Sequence, residues 1–238
     1  MVRAISKERL RQILNEEDIT FQKTKSWKES PDPEKEDKLA RIEEVMESCP
    51  DRVFAFDELG PLNLVPTPGV CWAERKRPQR LPANYHKFSG VRQFFACYHV
   101  GQDQLWGRME KRKGRRPTLR ALKGMRERVP KRERIYVILD NLNHHKGKDV
   151  RRWASDNNVE LLFTPTYASW ANPIECHLGA IRHFVLKNCN YPSHRALAAR
   201  PHAYLGWRNA HRRDPKLLRV VRAEQRRIRA ERMLRKAA

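Results

Sequence analysis

Five apolar residues in a row, Ile135, Tyr136, Val137, Ile138 and Leu139, run straight into Asp140, and the chain then turns polar through Asn141-Leu142-Asn143-His144-His145-Lys146. An apolar run without alternation fits a short strand buried on both faces, which requires helices on either side of a sheet. The carboxylate therefore stands where a central strand surfaces, a position from which side chains of several elements can converge.

The surrounding pattern agrees with such a layered architecture. Residues 52–58, Arg-Val-Phe-Ala-Phe-Asp-Glu, read as a first strand, and 91–100 and 104–111 as two further strands, short-linked and antiparallel. Residues 118–129 read as a helix, 149–157 as a second helix, 159–165 as a strand, and a helix follows from Pro173. Three meandering strands followed by strand-helix-strand-helix give an α/β fold with a mixed sheet, antiparallel and then parallel, flanked by helices. Ahead of it, residues 5–18 form a short helix capped by Ser6, and Glu34 to Ser48 an amphipathic helix carrying Leu39, Ile42 and Val45. Residues 61–82 are Pro-rich and read as a long loop or hairpin.

Asp57 ends its apolar strand in the same manner as Asp140, with Val53 and Ala55 on its own face and Phe54 and Phe56 on the other. A third acid, Glu175, opens the helix after Pro173. Asn172, Pro173 and Glu175 have the spacing of a capping box, while Ile174, Leu178, Ile181 and Val185 mark the buried stripe, with Glu175 at its edge. Thirty-four residues separate Asp140 from Glu175, enough for one helix, one strand and one loop to bring the chain back to the same sheet edge. Three converging carboxylates repel, and a hard divalent cation is the usual relief. Magnesium shares its remaining positions with water and phosphate oxygens, and two ions about 3.5 to 4 Å apart can serve both sides of a phosphodiester.

Charge names the partner. The chain has 50 Lys and Arg against 28 Asp and Glu, a formal +22, and an excess of that size calls for a polyanion. It is unevenly spread: residues 1–50 hold 10 basic and 12 acidic side chains, residues 111–134 hold 12 and 2, and the tail from Arg219 holds 8 and 2. Lys111, Arg112, Lys113, Arg115 and Arg116 are the candidate phosphate contacts. The five cysteines, at 49, 71, 97, 176 and 189, show neither a disulfide framework nor a zinc ribbon. With a charged start and no long apolar run, the sequence suggests a reducing interior and no membrane span. Cys176 and His177 read as packing residues, His144 and His145 as a turn with phosphate-side contacts rather than a zinc site, and Trp170 and Trp207 as core or lid packing.

The blocks Val53-Phe-Ala-Phe-Asp57-Glu-Leu-Gly-Pro-Leu-Asn-Leu-Val-Pro66, Ile135-Tyr-Val-Ile-Leu-Asp140-Asn-Leu-Asn-His-His-Lys146 and Leu161-Leu-Phe-Thr-Pro-Thr-Tyr-Ala-Ser-Trp-Ala-Asn-Pro-Ile-Glu175 resemble the three catalytic blocks of bacterial insertion-sequence transposases of the mariner superfamily, in the insertion-sequence six-thirty family. The resemblance covers residues 5 to about 212. It implies a ribonuclease H-like catalytic fold and a DDE transposase, catalysing metal-dependent cleavage and strand transfer of double-stranded DNA, both element ends and target. Asp57, Asp140 and Glu175 take the catalytic and metal-ligand places, with Mg2+ or Mn2+, two ions, as cofactor. Asn141, His145 and Lys146 fall in the block after the second acid, with no catalytic role assigned. The alternatives are a catalytically inactive DNA-binding relative and a simple magnesium-dependent nuclease of the same fold.

The same resemblance divides the chain into a helix-turn-helix remnant (1–20), a linker with an amphipathic helix (21–50), a catalytic domain (51–212) and a basic helical tail (213–238). A cytoplasmic, nucleoid-associated bacterial protein able to pair as a homodimer is the matching setting. Relatives begin with a full helix-turn-helix region, whereas only its final helix, Ser6 to Asn15, is matched here. An N-terminally truncated chain that binds duplex DNA with little sequence preference is the resulting expectation. Pro201 is expected to interrupt or kink the helix it falls in.

Overall fold

The computed structural model describes residues 5–21, 29–83, 90–215, 219 and 226. Its centre is a five-stranded sheet in the order β3-β2-β1-β4-β5, built from β1 (Val53–Leu62), β2 (Arg92–His99), β3 (Gln104–Glu110), β4 (Ile135–Leu139) and β5 (Val159–Phe163). β1 pairs antiparallel with β2, and β2 with β3, while β1 with β4 and β4 with β5 are parallel. The expected mixed sheet is the one observed. Tyr136 is the only half-buried residue of β4, as a strand covered on both faces requires. β1 extends beyond the anticipated end at Glu58, because β2 continues to pair with it as far as Leu62 opposite Arg92, across a register shift after Leu59.

Alternation along β1 sorts the core into two layers. Val53, Ala55 and Leu59 join Ile138 of β4 on one face, against Ile42 and Val45 of α2 (Lys35–Ser48), Ile174, Leu178 and Ile181 at α5 (Glu175–Phe184) and Leu197 and Leu205 of α6 (His194–Ala210). Phe54 and Phe56 join Val137 and Leu139 on the other, against Leu122 and Met125 of α3 (Arg115–Arg126) and Val150 and Ala154 of α4 (Lys148–Asp156). Side chains this deeply buried contribute about 1.5 to 3 kcal/mol each from apolar burial, so strand parity decides which helices each β1 residue meets.

The remaining elements close the edges. α1 (Lys7–Glu16) is capped by Ser6, whose Oγ accepts from the Arg9 amide at 3.1 Å, and it buries no residue. α2 is tied down by Asp32, which accepts from the Glu34 and Thr166 amides at 3.0 and 2.9 Å and pairs with Lys38. Residues 63–83 form no strand beyond an isolated bridge of Thr67 to Cys189, so the loop reading holds there. α6 covers the outer strand: the Asn209 side-chain amide bonds both Leu105 N (2.9 Å) and Leu105 O (2.7 Å), and Arg208 pairs with buried Asp103. Asn209 thereby occupies the outward backbone groups of Leu105 on this edge strand.

Pro201 does not interrupt α6. The helix runs seventeen residues through it, capped by Ser193, with Pro201 buried on the packed side. One missing backbone donor is tolerated there because Leu197 and Leu205, one turn to either side, are buried in the core. No helix among the described residues is long and apolar enough to cross a membrane. The basic tail from Arg219 lies outside the described residues apart from Arg219 and Arg226.

Candidate active site

Asp57 is carried by β1 and Asp140 directly follows β4. The parallel register sets Ala55 opposite Ile138, so both acids lie two residues further on, side by side on adjacent strands spaced by about 4.8 Å. Parity puts both on the face of Ala55 and Ile138, the face covered by α5, and Glu175 is the first residue of α5. The three predicted acids thus come to one edge of the sheet from two strands and a helix. The expected capping box does not form. The helix starts at Glu175 with Ile174 at the N-cap, and Asn172, two residues earlier, accepts from the Ile174 amide through Oδ1 at 3.4 Å while its Nδ2 donates to the Phe56 carbonyl at 2.9 Å. Buried Asn172 thereby ties the start of α5 to the residue preceding Asp57.

The charge at this edge is compensated only in part, by His145 beside Asp140 and Arg182 near Glu175. Burial pushes the Asp57 carboxyl up to about 7; the Glu58 amide, 2.6 Å from Oδ1, works against that rise, and the negative charges of Asp140 and Glu175 add to it. Glu175 has Arg182 Nη1 at 3.5 Å, with both side chains partly exposed. An all-oxygen set of three carboxylates, in which Asp140 and Glu175 add to the rise of Asp57, fits a hard divalent cation such as Mg2+ or Mn2+.

Glu58, the next residue along, faces the opposite layer and was missed by the sequence reading. Its side chain is fully buried beside two histidines and a lysine: His144 Nε2 lies 2.8 Å from Oε1, His145 Nε2 3.4 Å from Oε1, and Lys113 Nζ 3.1 Å from Oε2. Lys113 is an ion pair only; its angle gives Oε2 no hydrogen bond. Burial alone would raise the Glu58 carboxyl, yet the bonds from His145 and His144 bring it down to about 2. Glu58, His144 and His145 offer three ligand atoms within 4.8 Å of one another, but with Lys113 and two histidines already on it this carboxylate is neutralised from within the protein.

His145 joins the two acidic centres. Its Nδ1 lies 2.6 Å from Asp140 Oδ1 while Nε2 faces Glu58. Burial would depress the imidazole, but the bonds to Asp140 and Glu58 prevail and raise it to about 9, so both nitrogens carry protons at neutral pH. The ring is wholly buried, packed edge-on to Phe56 at 5.3 Å, which removes it from the phosphate-facing role expected of the turn. The available signal was parity: a residue after Asp57 on a two-sided buried strand must bury its charge, and two histidines follow the other strand-end acid.

Of the five basic residues singled out, Lys111, Arg112 and Arg116 are exposed, while Lys113 pairs with Glu58 and Arg115 with Asp149 at 3.3 Å. All five stand on the turn into α3, beside Glu58 and so close to the acidic edge. His177 packs against Tyr98 with ring centroids 4.4 Å apart, and burial lowers it to about 4, so the packing reading of that residue holds. Trp207 is 54% exposed and is no core residue.

A family model described as DDE superfamily endonuclease matches residues 52–198. Over 162 residues the chain is 24% identical to the insertion element IS630 uncharacterized 39 kDa protein of Shigella sonnei, covering 66% of this chain and 46% of that protein, so it spans about half the length of this curated relative. Among solved structures it is similar to the Mos1 strand transfer complex (TM-score 0.60, 15% identity, 87% of this chain and 66% of that one). It is also similar to the Mos1 mariner paired end complex with Mn (TM-score 0.61, 15% identity, 87% and 67%). The sheet and its flanking helices are accordingly the ribonuclease H-like fold of that transposase. With the model match spanning more than half of its length, the chain belongs to the DDE superfamily endonuclease family, as the three acidic blocks led one to expect.

Proposed function

We propose that this chain is a transposase catalytic unit that cleaves double-stranded DNA and transfers the freed strand, with Asp57, Asp140 and Glu175 as its catalytic, metal-holding residues. The observation that carries the reading is the convergence of these three carboxylates, from β1, the end of β4 and the start of α5, at an edge where Asp57 is driven up to about 7 by burial and by its neighbours' charges. The similar structures, a strand transfer complex and a paired end complex with Mn, are of Mos1, and they support the same chemistry here.

Two Mg2+ or Mn2+ ions, held by these three acids, would supply the charge that activates a water or 3′-hydroxyl and relieves the leaving oxygen. The chain's own part is positional. Asn172 holds the start of α5 against β1, so that Glu175 keeps its place opposite Asp57. Asp140 Oδ1 accepts from the Leu142 amide at 3.2 Å, which fixes the plane of its carboxylate. Lys111, Arg112 and Arg116, exposed on the turn into α3, bind phosphates of the duplex and bring the backbone to the acids. Two such chains, one per element end, make a homodimer the natural assembly.

The decisive assay incubates the chain with supercoiled plasmid and labelled duplex ends in Mg2+. Nicking together with joining of the labelled strand supports the transposase. Nicking without joining would make it a simple nuclease, and binding without either would make it an inactive relative. Asp140→Asn should drop cleavage to background while leaving DNA affinity nearly unchanged, since it touches no residue of the basic surface. Cleavage retained in that variant would remove Asp140 from the site.

A further inference from the structure

The His145 imidazole is buried at full depth, with a carboxylate at each end. Nδ1 is 2.6 Å from Asp140 Oδ1, and Nε2 is 3.4 Å from Glu58 Oε1. Its rotation is blocked by Phe56 and by His144, whose ring centroids lie 5.3 and 4.4 Å away, and its backbone amide donates to Leu142 O at 2.9 Å. Glu58 is itself anchored by Lys113 and His144. The Leu142 amide donates to Asp140 Oδ1, and His145 Nδ1 is ion-paired with the same oxygen at 2.6 Å while its hydrogen bond goes to the Asp140 carbonyl at 3.4 Å, which commits Oδ1 and leaves Oδ2 to offer a cation.

We propose that His145 is a positioning residue for the metal centre: held by Glu58, it orients the Asp140 carboxylate so that Oδ2 is presented to the cation. This rests on the assignment of Asp140 as a metal ligand made above. The physical reason is general. A ligating carboxylate that must find its own rotamer loses affinity, whereas one fixed by an outer hydrogen-bonding partner does not, and removal of such partners typically costs about 10- to 100-fold in metal affinity or activity. His145 does not touch DNA or metal in this role, and its influence passes entirely through Asp140.

The two ends of the ring can be tested separately in the full chain. The amide nitrogen of asparagine superposes on Nδ1 and that of glutamine on Nε2, so His145→Asn keeps the donor to Asp140 and His145→Gln keeps only the contact toward Glu58. Mn2+ binding is measured without DNA, by titration calorimetry and by the loss of the free-ion paramagnetic signal, in the parent and in both variants. His145→Gln should bind Mn2+ about 10- to 100-fold more weakly, and His145→Asn close to the parent. The Mn2+ concentration giving half-maximal nicking should move in parallel. Equal Mn2+ affinity in the parent, Asn and Gln chains, or equal loss in both variants, would overturn the proposal and leave His145 as a packing residue. Asp57→Asn and Asp140→Asn are measured alongside. If these two keep parental Mn2+ binding, the metal assignment itself falls and the positioning role with it. If they lose it while His145→Gln does not, only the positioning role falls.

Discussion

Asp57 and Glu58 are neighbours on one strand and almost equally buried, at 9% and 6% exposure, yet the protein treats their charges in opposite ways. Asp57 is pushed up to about 7 by burial and by Asp140 and Glu175, while Glu58, despite its burial, is brought down to about 2 by His145 and His144. Alternation sends one to the face of α5 and the other to the face of α3 and α4. A buried carboxylate whose counter-charge is supplied internally holds elements together. One whose neighbours are further carboxylates costs stability unless a cation arrives from outside, and that cost marks the site.

The largest test of this contrast is a reversal of sign. Glu58, with its carboxyl lowered from 4.5, contributes stability that is present above that pH and lost as pH falls through about 2. Replacing it should cost about 3 kcal/mol at neutral pH. Asp57, raised from 3.8, does the reverse: stability is full below pH 3.8 and is lost as pH climbs through about 7. At pH 8 without divalent cations, Asp57→Asn should therefore gain up to about 4 kcal/mol while Glu58→Gln loses. Urea midpoints of the two variants moving in the same direction would break the comparison.

A control far from the site asks whether internal neutralisation is the general rule. Asp103 is buried and held by Arg208, with hydrogen bonds from Tyr98 Oη and the Arg213 amide at 2.9 and 2.8 Å. Arg208→Ala should destabilise by about 3 to 5 kcal/mol by leaving that carboxylate without its cation. A loss under about 1 kcal/mol in a thermal melt would show that buried pairing matters little in this fold.

The next effect is smaller and concerns the open side. Mg2+ at about a hundred times its dissociation constant should stabilise the parent at pH 8 by about 2.7 kcal/mol, and should leave Asp57→Asn almost unmoved. Equal stabilisation of both would place the cation elsewhere. The smallest effect separates free from committed cations on the turn into α3. Neutralising Lys111, Arg112 and Arg116 together should flatten the log-log salt dependence of DNA binding by roughly 2 to 3 units, at about 0.9 per lost contact. Lys113→Gln should change the slope less, because that ammonium is already paired with Glu58. Slopes that fall equally for each residue would mean that DNA draws Lys113 away from Glu58.

Much of this was written locally. Asp57 and Asp140 could be read because each closes an apolar run, although β1 continues past Asp57 to Leu62, and Glu175 because one helix and one strand fall within the thirty-four residues before it. The short link between β2 and β3 marks an antiparallel pair, and the helix-bearing connection between β4 and β5 a parallel one. Where the reading missed, a partner distant in sequence overrode a local rule. Asn172 was read as the cap of α5, yet it stands two residues ahead of the N-cap Ile174, where its Nδ2 is held by the Phe56 carbonyl 116 residues away. Pro201 would have broken α6, but Leu197 and Leu205 pack on either side of it. The turn at His144 and His145 was read as facing phosphate, yet His145 is buried against Glu58, 87 residues earlier in the chain.

By itself, then, the sequence determined the layers and the three acids, because period, apolar runs and turn chemistry act between near neighbours. Only the tertiary structure decided which buried carboxylate is neutralised and which is left open. That outcome depends on the histidines after β4 and the lysine before α3 meeting β1 on one face, with α5 on the other, and charge compensation in a low-dielectric interior acts between groups that only folding brings together.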